Sequence, residues 1–150
     1  MRRFFPIAVL VLLCRSLWAA DDPLSMELSA RTDAEQQIAH GQPAPSVSSA
    51  RPVLTAKSKT KIRIRWTIVN QEKTGNIPDV TVHFLLDGDQ KNAVYESALV
   101  MDFAAQAKSS ADFVVEAPSA GSYVLRLETI GAARTHAHEH IAAMDLKVLP

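Results

Sequence analysis

The chain has 150 residues, an apolar fraction of 47%, and 16 basic against 16 acidic side chains. That length accommodates one domain, and the apolar content suffices for one buried core. The balanced charge gives nothing in favour of nucleic-acid binding, which calls for a basic face, and a single cysteine, Cys14, excludes a disulfide framework or a thiolate metal centre.

Residues 1–20 read as a secretory signal peptide. Arg2 and Arg3 form a positive start, residues 4–13 are apolar apart from Pro6, and Ala19 and Ala20 precede Asp21 and Asp22. The apolar run is short for a permanent span, so no stable membrane insertion is expected after cleavage. An uncleaved N-terminal anchor is the alternative, because Arg15 interrupts the segment and Leu17 or Trp18 stands where cleavage favours a small residue. Leu13 before Cys14 argues against a lipid anchor. Cleavage removes Arg2, Arg3, Arg15 and Cys14, leaving 13 basic and 16 acidic side chains in a periplasmic or secreted protein.

Residues 21–50 carry little strand pattern and are expected to form a flexible leader. Thr32-Asp33-Ala34-Glu35 has capping-box spacing, which suggests a short helix through residues 35–39 ended by Gly41. Residues 42–50, with Pro43, Pro45, Ser46, Ser48 and Ser49, have a linker's composition.

From Arg51 the hydrophobic period becomes two. Residues 52–55 suit an edge strand. Ile62, Ile64, Trp66 and Ile68 alternate with Lys61, Arg63, Arg65 and Thr67, predicting a strand with one buried and one wet face. Trp66 is the expected core anchor. The Arg63/Arg65 pair reads as a solvated face, with a small anion-binding patch as the sharper reading. Val80, Val82, Phe84 and Leu86 mark the next strand, with His83 outward, and Asp87-Gly88-Asp89 marks a turn. Residues 93–103 are apolar without alternation, as for a strand crossing to the other sheet. Glu96 and Asp102 flank this run. Ala111, Phe113 and Val115, then Tyr123, Leu125 and Leu127, then Met144, Leu146 and Val148 supply three further strands. The pattern predicts an all-β immunoglobulin-like sandwich of about seven antiparallel strands over residues 51–150.

Ile68-Val69-Asn70 followed by Gly75, then residues 80–86 closing on Asp87-Gly88, resemble the CARDB domain (cell-adhesion-related domain of bacteria). Residues 109–115 and Ala120-Gly121-Ser122-Tyr123 through Leu127 are similar to its later strands. The resemblance spans about residues 52–148 and shares much with fibronectin type III domains. It implies an extracytoplasmic, non-enzymatic module for binding or assembly. Two stretches depart from it, residues 94–103 and Thr135-His136-Ala137-His138-Glu139-His140.

The second departure concentrates three of the five histidines. On a strand, His136, His138 and His140 would share one face, successive Cα atoms roughly 6.5–7 Å apart. Two such rings can converge on copper or zinc at nitrogen distances of ~2.0–2.1 Å. His83 could complete the shell, and Met101 or Met144 would favour copper(I). The same histidines could instead act as a pH switch. Met144 continues their even-numbered face, so a loop or bulge near residues 141–143 is expected to keep the imidazoles out of the core. Catalysis is not expected, because there is no Gly-x-Ser-x-Gly elbow and no thiol. Two functions follow. The first is a non-catalytic module without cofactor that contacts a protein or cell-surface partner; the second is a periplasmic copper or zinc protein.

Overall fold

A computed structural model describes residues 23–43, 50–88, 93–131 and 139–150. Among them are ten strands and no helix: β1 (Leu24–Arg31), β2 (Gln36–His40), β3 (Gln42–Pro43), β4 (Val53–Lys57), β5 (Lys61–Asn70), β6 (Ile77–Asp87), β7 (Tyr95–Phe103), β8 (Lys108–Glu116), β9 (Gly121–Ile130) and β10 (His140–Leu149). They form two sheets. The first has the order β2-β1-β5-β8; the second runs β3-β10-β9-β6-β7, with β4 also paired to β10. Every neighbouring pair is antiparallel except β4–β10, which is parallel.

Period-two patterning produces this arrangement directly. On β5, Ile62, Ile64, Trp66 and Ile68 are buried while Lys61, Arg63 and Arg65 are exposed. The facing sheet contributes Val82, Phe84 and Leu86 from β6, Leu125 and Leu127 from β9, and Met144, Leu146 and Val148 from β10. The two inner faces interdigitate into one core. At the corner before β9, the Tyr123 hydroxyl donates to the Ser119 carbonyl at 2.9 Å. That back-bond is the tyrosine-corner device of immunoglobulin-like sandwiches.

The expected leader over residues 21–50 is corrected. Residues 24–43 hold three strands, and β1 lies between β2 and β5 with Leu24, Met26, Leu28 and Ala30 buried. The expected helix over residues 35–39 is instead β2, and the capping-box residues form the β1–β2 turn. Thr32 Oγ1 accepts from the N–H groups of Ala34 (3.3 Å) and Glu35 (3.2 Å), and the Thr32 N–H donates to the Glu35 carbonyl at 2.9 Å. A threonine hydroxyl serves those N–H groups equally well in a hairpin turn or at a helix start. Gly41 ends no helix. A Cβ there would stand 2.8 Å from the Met26 Cβ, so glycine lets the chain cross closely over β1 as it leaves one sheet for the other.

β7 does not cross between sheets but returns antiparallel to β6 and forms the edge of its sheet. The irregularity falls on β6 instead, where the register shifts between Ile77 and Val80 and Asp79 takes a φ of 53°. The Asp102 carboxylate holds this bulge by accepting the Asp79 N–H at 2.9 Å. With β1, β2 and β3 included, the described residues hold ten strands rather than about seven.

Candidate functional site

Two of the proposed metal ligands, His136 and His138, lie outside the described residues. The other two are on opposite faces of one sheet. His140 opens β10 opposite Thr129, is 4% exposed, and shares the inward face with Ala142 and Met144. Its N–H donates to Thr129 Oγ1 at 3.2 Å. β10 runs in unbroken register from His140 to Val148, so the bulge expected at residues 141–143 does not form. His83 lies opposite Glu128 on the outer face. The sheet backbone separates the two imidazoles, and they cannot share an ion. Among the described residues, no group of three or more His, Cys, Asp or Glu side chains is placed to hold a metal.

His83 belongs instead to a charge network across β6, β7 and β9. Its Nε2 lies 2.7 Å from Glu96 Oε1 and its Nδ1 3.7 Å from Glu128 Oε2. Arg126 continues the chain of charges, with Nε 2.9 Å from Glu128 Oε1 and Nη2 3.0 Å from Asp87 Oδ2. Glu96 therefore binds a neighbouring side chain rather than ending the apolar run. The sequence gives no sign of this network, because its members come together only through the pairing of three strands. It fixes the outer face of β6 without gathering donors around an empty position.

The less ordinary surface is the edge beside it. Among the described residues β7 bonds only to β6, and within it only Phe103 is buried. Residues 97–101 (Ser, Ala, Leu, Val, Met) are uncharged, with Leu99 40% and Val100 64% exposed. Val100 and Ile130 flank Thr81 on the outer face, while Leu99 and Tyr95 project on the other. Tyr95, Phe113 of β8 and Phe84 meet near the gap between the two sheets. The Tyr95 and Phe113 rings stack with centroids 6.1 Å apart, and Phe84 meets Phe113 edge-on at 5.0 Å. Long uncharged edges offer unpaired N–H and C=O groups, and proteins usually blunt them with lysine or proline. β7 has neither.

No family model matches the chain, and no curated protein is similar to it in sequence. A solved structure described as the C-terminal domain of wzt aligns with a TM-score of 0.48 at 8% identity, covering 82% of this chain and 71% of that one. That likeness says nothing about ligand or partner. The CARDB resemblance stands on the motifs quoted for it alone.

The wet face of the other sheet resolves the Arg63/Arg65 pair. Arg65 is bound by Asp112, its partner across β5 and β8, with Nε–Oδ1 at 2.6 Å and Nη2–Oδ2 at 3.0 Å. The hydrogen bonds to Arg65 hold the Asp112 carboxyl below the usual carboxylate range, opposed in part by desolvation and aided by the guanidinium charge. A lowered folded-state pKa contributes stability above the ordinary Asp value of about 3.9, and that contribution is lost as pH falls through the lowered value. Asp112→Asn should therefore flatten the acid limb of a thermal-midpoint-against-pH curve. An unchanged acid limb would show that this exposed pair contributes nothing measurable.

Proposed function

We propose that the chain is an exported, non-catalytic sandwich module that docks a partner protein by adding an extended segment of that partner to β7. The observation that carries this reading is the edge itself, nine residues long, uncharged at its centre and apolar on both faces. Strand addition satisfies backbone groups along such an edge, and side-chain pockets on alternate positions select the sequence. The only charges on β7 are Glu96 and Asp102, one near each end. The matching segment is therefore apolar at its centre with lysine or arginine on its flanks. The signal-peptide pattern of residues 1–20 supports export, and the CARDB-like motifs agree with a binding or assembly role.

A photo-crosslinker in place of Val100, in cells exporting the protein, tests this. The expected product joins Val100 to one partner within an extended segment with basic flanks. Leu99→Lys should reduce the yield at least tenfold while leaving the thermal midpoint nearly unchanged, since substitutions at exposed positions usually stay within about 0.5 kcal/mol. Ile38→Lys, on the opposite edge strand β2, should have no effect. Crosslinks only to a second copy of this chain, or loss with Ile38→Lys and not Leu99→Lys, would overturn the proposal.

A further inference from the structure

The outer face of the four-stranded sheet carries a second feature, remote from the edge at β7. β1 and β5 pair so that Arg31 lies directly opposite Arg63, and Lys61 follows two residues away on the same face. Like charges directly opposite on antiparallel strands destabilise the pair. Arg65, by contrast, stands opposite Ser29 on β1 and opposite its ion-pair partner Asp112 on β8. Two acids stand near the trio. Asp33 sits in the turn after Arg31, and Glu116 lies opposite Lys61 on β8. Yet none of Arg31, Lys61 and Arg63 is in an ion pair within 4.0 Å among the described residues.

These cations also surround space. A niche of about 100 Å³ is lined by Arg31, Thr32, Asp33, Lys61 and Arg63. It adjoins a trough of about 680 Å³ that shares Asp33, Lys61 and Arg63 and extends past Thr60 to Val114. A third hollow, about 240 Å³, lies between Arg31, Gln36 and Arg63. Arg63 borders all three.

We infer that Arg31 and Arg63, with Lys61, form a binding site for a tetrahedral oxyanion, the phosphoryl or sulfuryl group of a larger ligand whose body lies in the trough. Two guanidinium groups on directly opposite strand positions, lining the same niche, supply several N–H donors that suit such a group, and two positive charges match a dianion better than a carboxylate. The bound group removes the repulsion that the strand register imposes. The trough's volume falls within the range of small-molecule sites, roughly 300–1,000 Å³. Asp33, at the rim, works against the anion and limits its affinity, whereas Asp112, which also lines the trough, is neutralised by Arg65. This site is independent of strand addition at β7.

The test is calorimetric titration of the purified protein with inorganic phosphate, sulfate and acetate at matched low ionic strength. Saturable binding of phosphate or sulfate is expected, with acetate at least tenfold weaker. The tighter of the two dianions tells whether the larger ligand is phosphorylated or sulfated. Arg31→Gln and Arg63→Gln should each weaken binding at least tenfold, Lys147→Gln, on the other sheet, less than twofold, and Asp33→Asn should tighten it. Without anion, Arg31→Gln should raise the thermal midpoint by relieving repulsion, and adding phosphate should then raise the midpoint of the wild type but not of this variant. Absence of saturable binding, equal binding of acetate, or a loss in Lys147→Gln as large as in Arg63→Gln would overturn the assignment.

Discussion

A variant lacking residues 23–43 is expected not to fold. β1 occupies the position between β2 and β5, so its removal strips β5 of an eight-residue ladder from Leu24↔Asn70 to Arg31↔Arg63. It also takes Leu24, Met26, Leu28 and Ala30 out of the core. Truncating one buried leucine or methionine costs about 2–5 kcal/mol, and three are lost here along with their backbone. The total stability of a domain this size is on the order of 5–15 kcal/mol. Two smaller ties go as well. The Glu35 carboxylate accepts the Thr55 N–H, and β3 pairs with the start of β10 at His140 and Ile141. Far-UV circular dichroism without a β signature and a melt without a cooperative transition are the expected results. Native-like dichroism with a cooperative melt would show that residues 23–43 are dispensable. Leu28→Ala is the graded version: about 3 kcal/mol lost in urea titration, with the fold retained.

That prediction concerns the part of the fold least legible in the sequence. Residues 24–31 do alternate, with Leu24, Met26, Leu28 and Ala30 inward and Ser25, Glu27, Ser29 and Arg31 between them. The signal is masked because leucine, methionine, glutamate and alanine favour helices, and because a proline- and serine-rich stretch follows. Burial in the middle of a sheet outweighs those local preferences. β5, β6, β9 and β10 are legible for the opposite reason, since large apolar residues recur at every second position, and on β5 and β6 the isoleucines and valines add strand propensity to burial. β7 alternates poorly because, as an edge strand, it leaves both faces largely exposed.

The functional surfaces divide along the same line. Arg63 and Arg65 share one face of one strand, which period two reveals. That Arg65 is neutralised by Asp112 and that Arg31 takes its place beside Arg63 depends on strand register, which joins positions 47 and 32 residues apart respectively. His83 and His140 show the converse. Their shared chemistry is visible in the sequence, but the sheet that separates them is not.

Asn70→Ala is expected to cost roughly 2–4 kcal/mol, more than its loss of apolar area would suggest. Asn70 ends β5 fully buried, and its side chain ties three segments together. Nδ2 donates to the carbonyls of Gly75 (2.8 Å), Phe103 (3.1 Å) and Ala104 (3.1 Å), while Oδ1 accepts the Glu72 N–H at 3.0 Å. These bonds fix the β5–β6 connection against the end of β7, where the chain passes to the other sheet. Alanine removes the donor shared by the Gly75 and Phe103 carbonyls, while the Ala104 carbonyl keeps the Ala107 N–H at 3.0 Å, and each buried polar group left unsatisfied costs about 1–3 kcal/mol. Asn70→Asp separates this account from simple loss of volume, because aspartate is nearly isosteric but an ionised carboxylate would face three carbonyl oxygens. Burial and those oxygens disfavour its charged form, so the introduced carboxyl should titrate above its unfolded value of about 3.9. The unfolded state then releases its proton first, and stability should fall as pH rises from about 4 towards the raised value. Thermal midpoints from pH 3 to 7 (a range of roughly this width brackets the ordinary carboxylate pKa) should therefore diverge. The Asn70→Asp curve should drop steadily below that of Asn70→Ala, which itself runs parallel to wild type. Parallel curves for all three proteins would mean that the side chain at position 70 fills space without holding the three segments together.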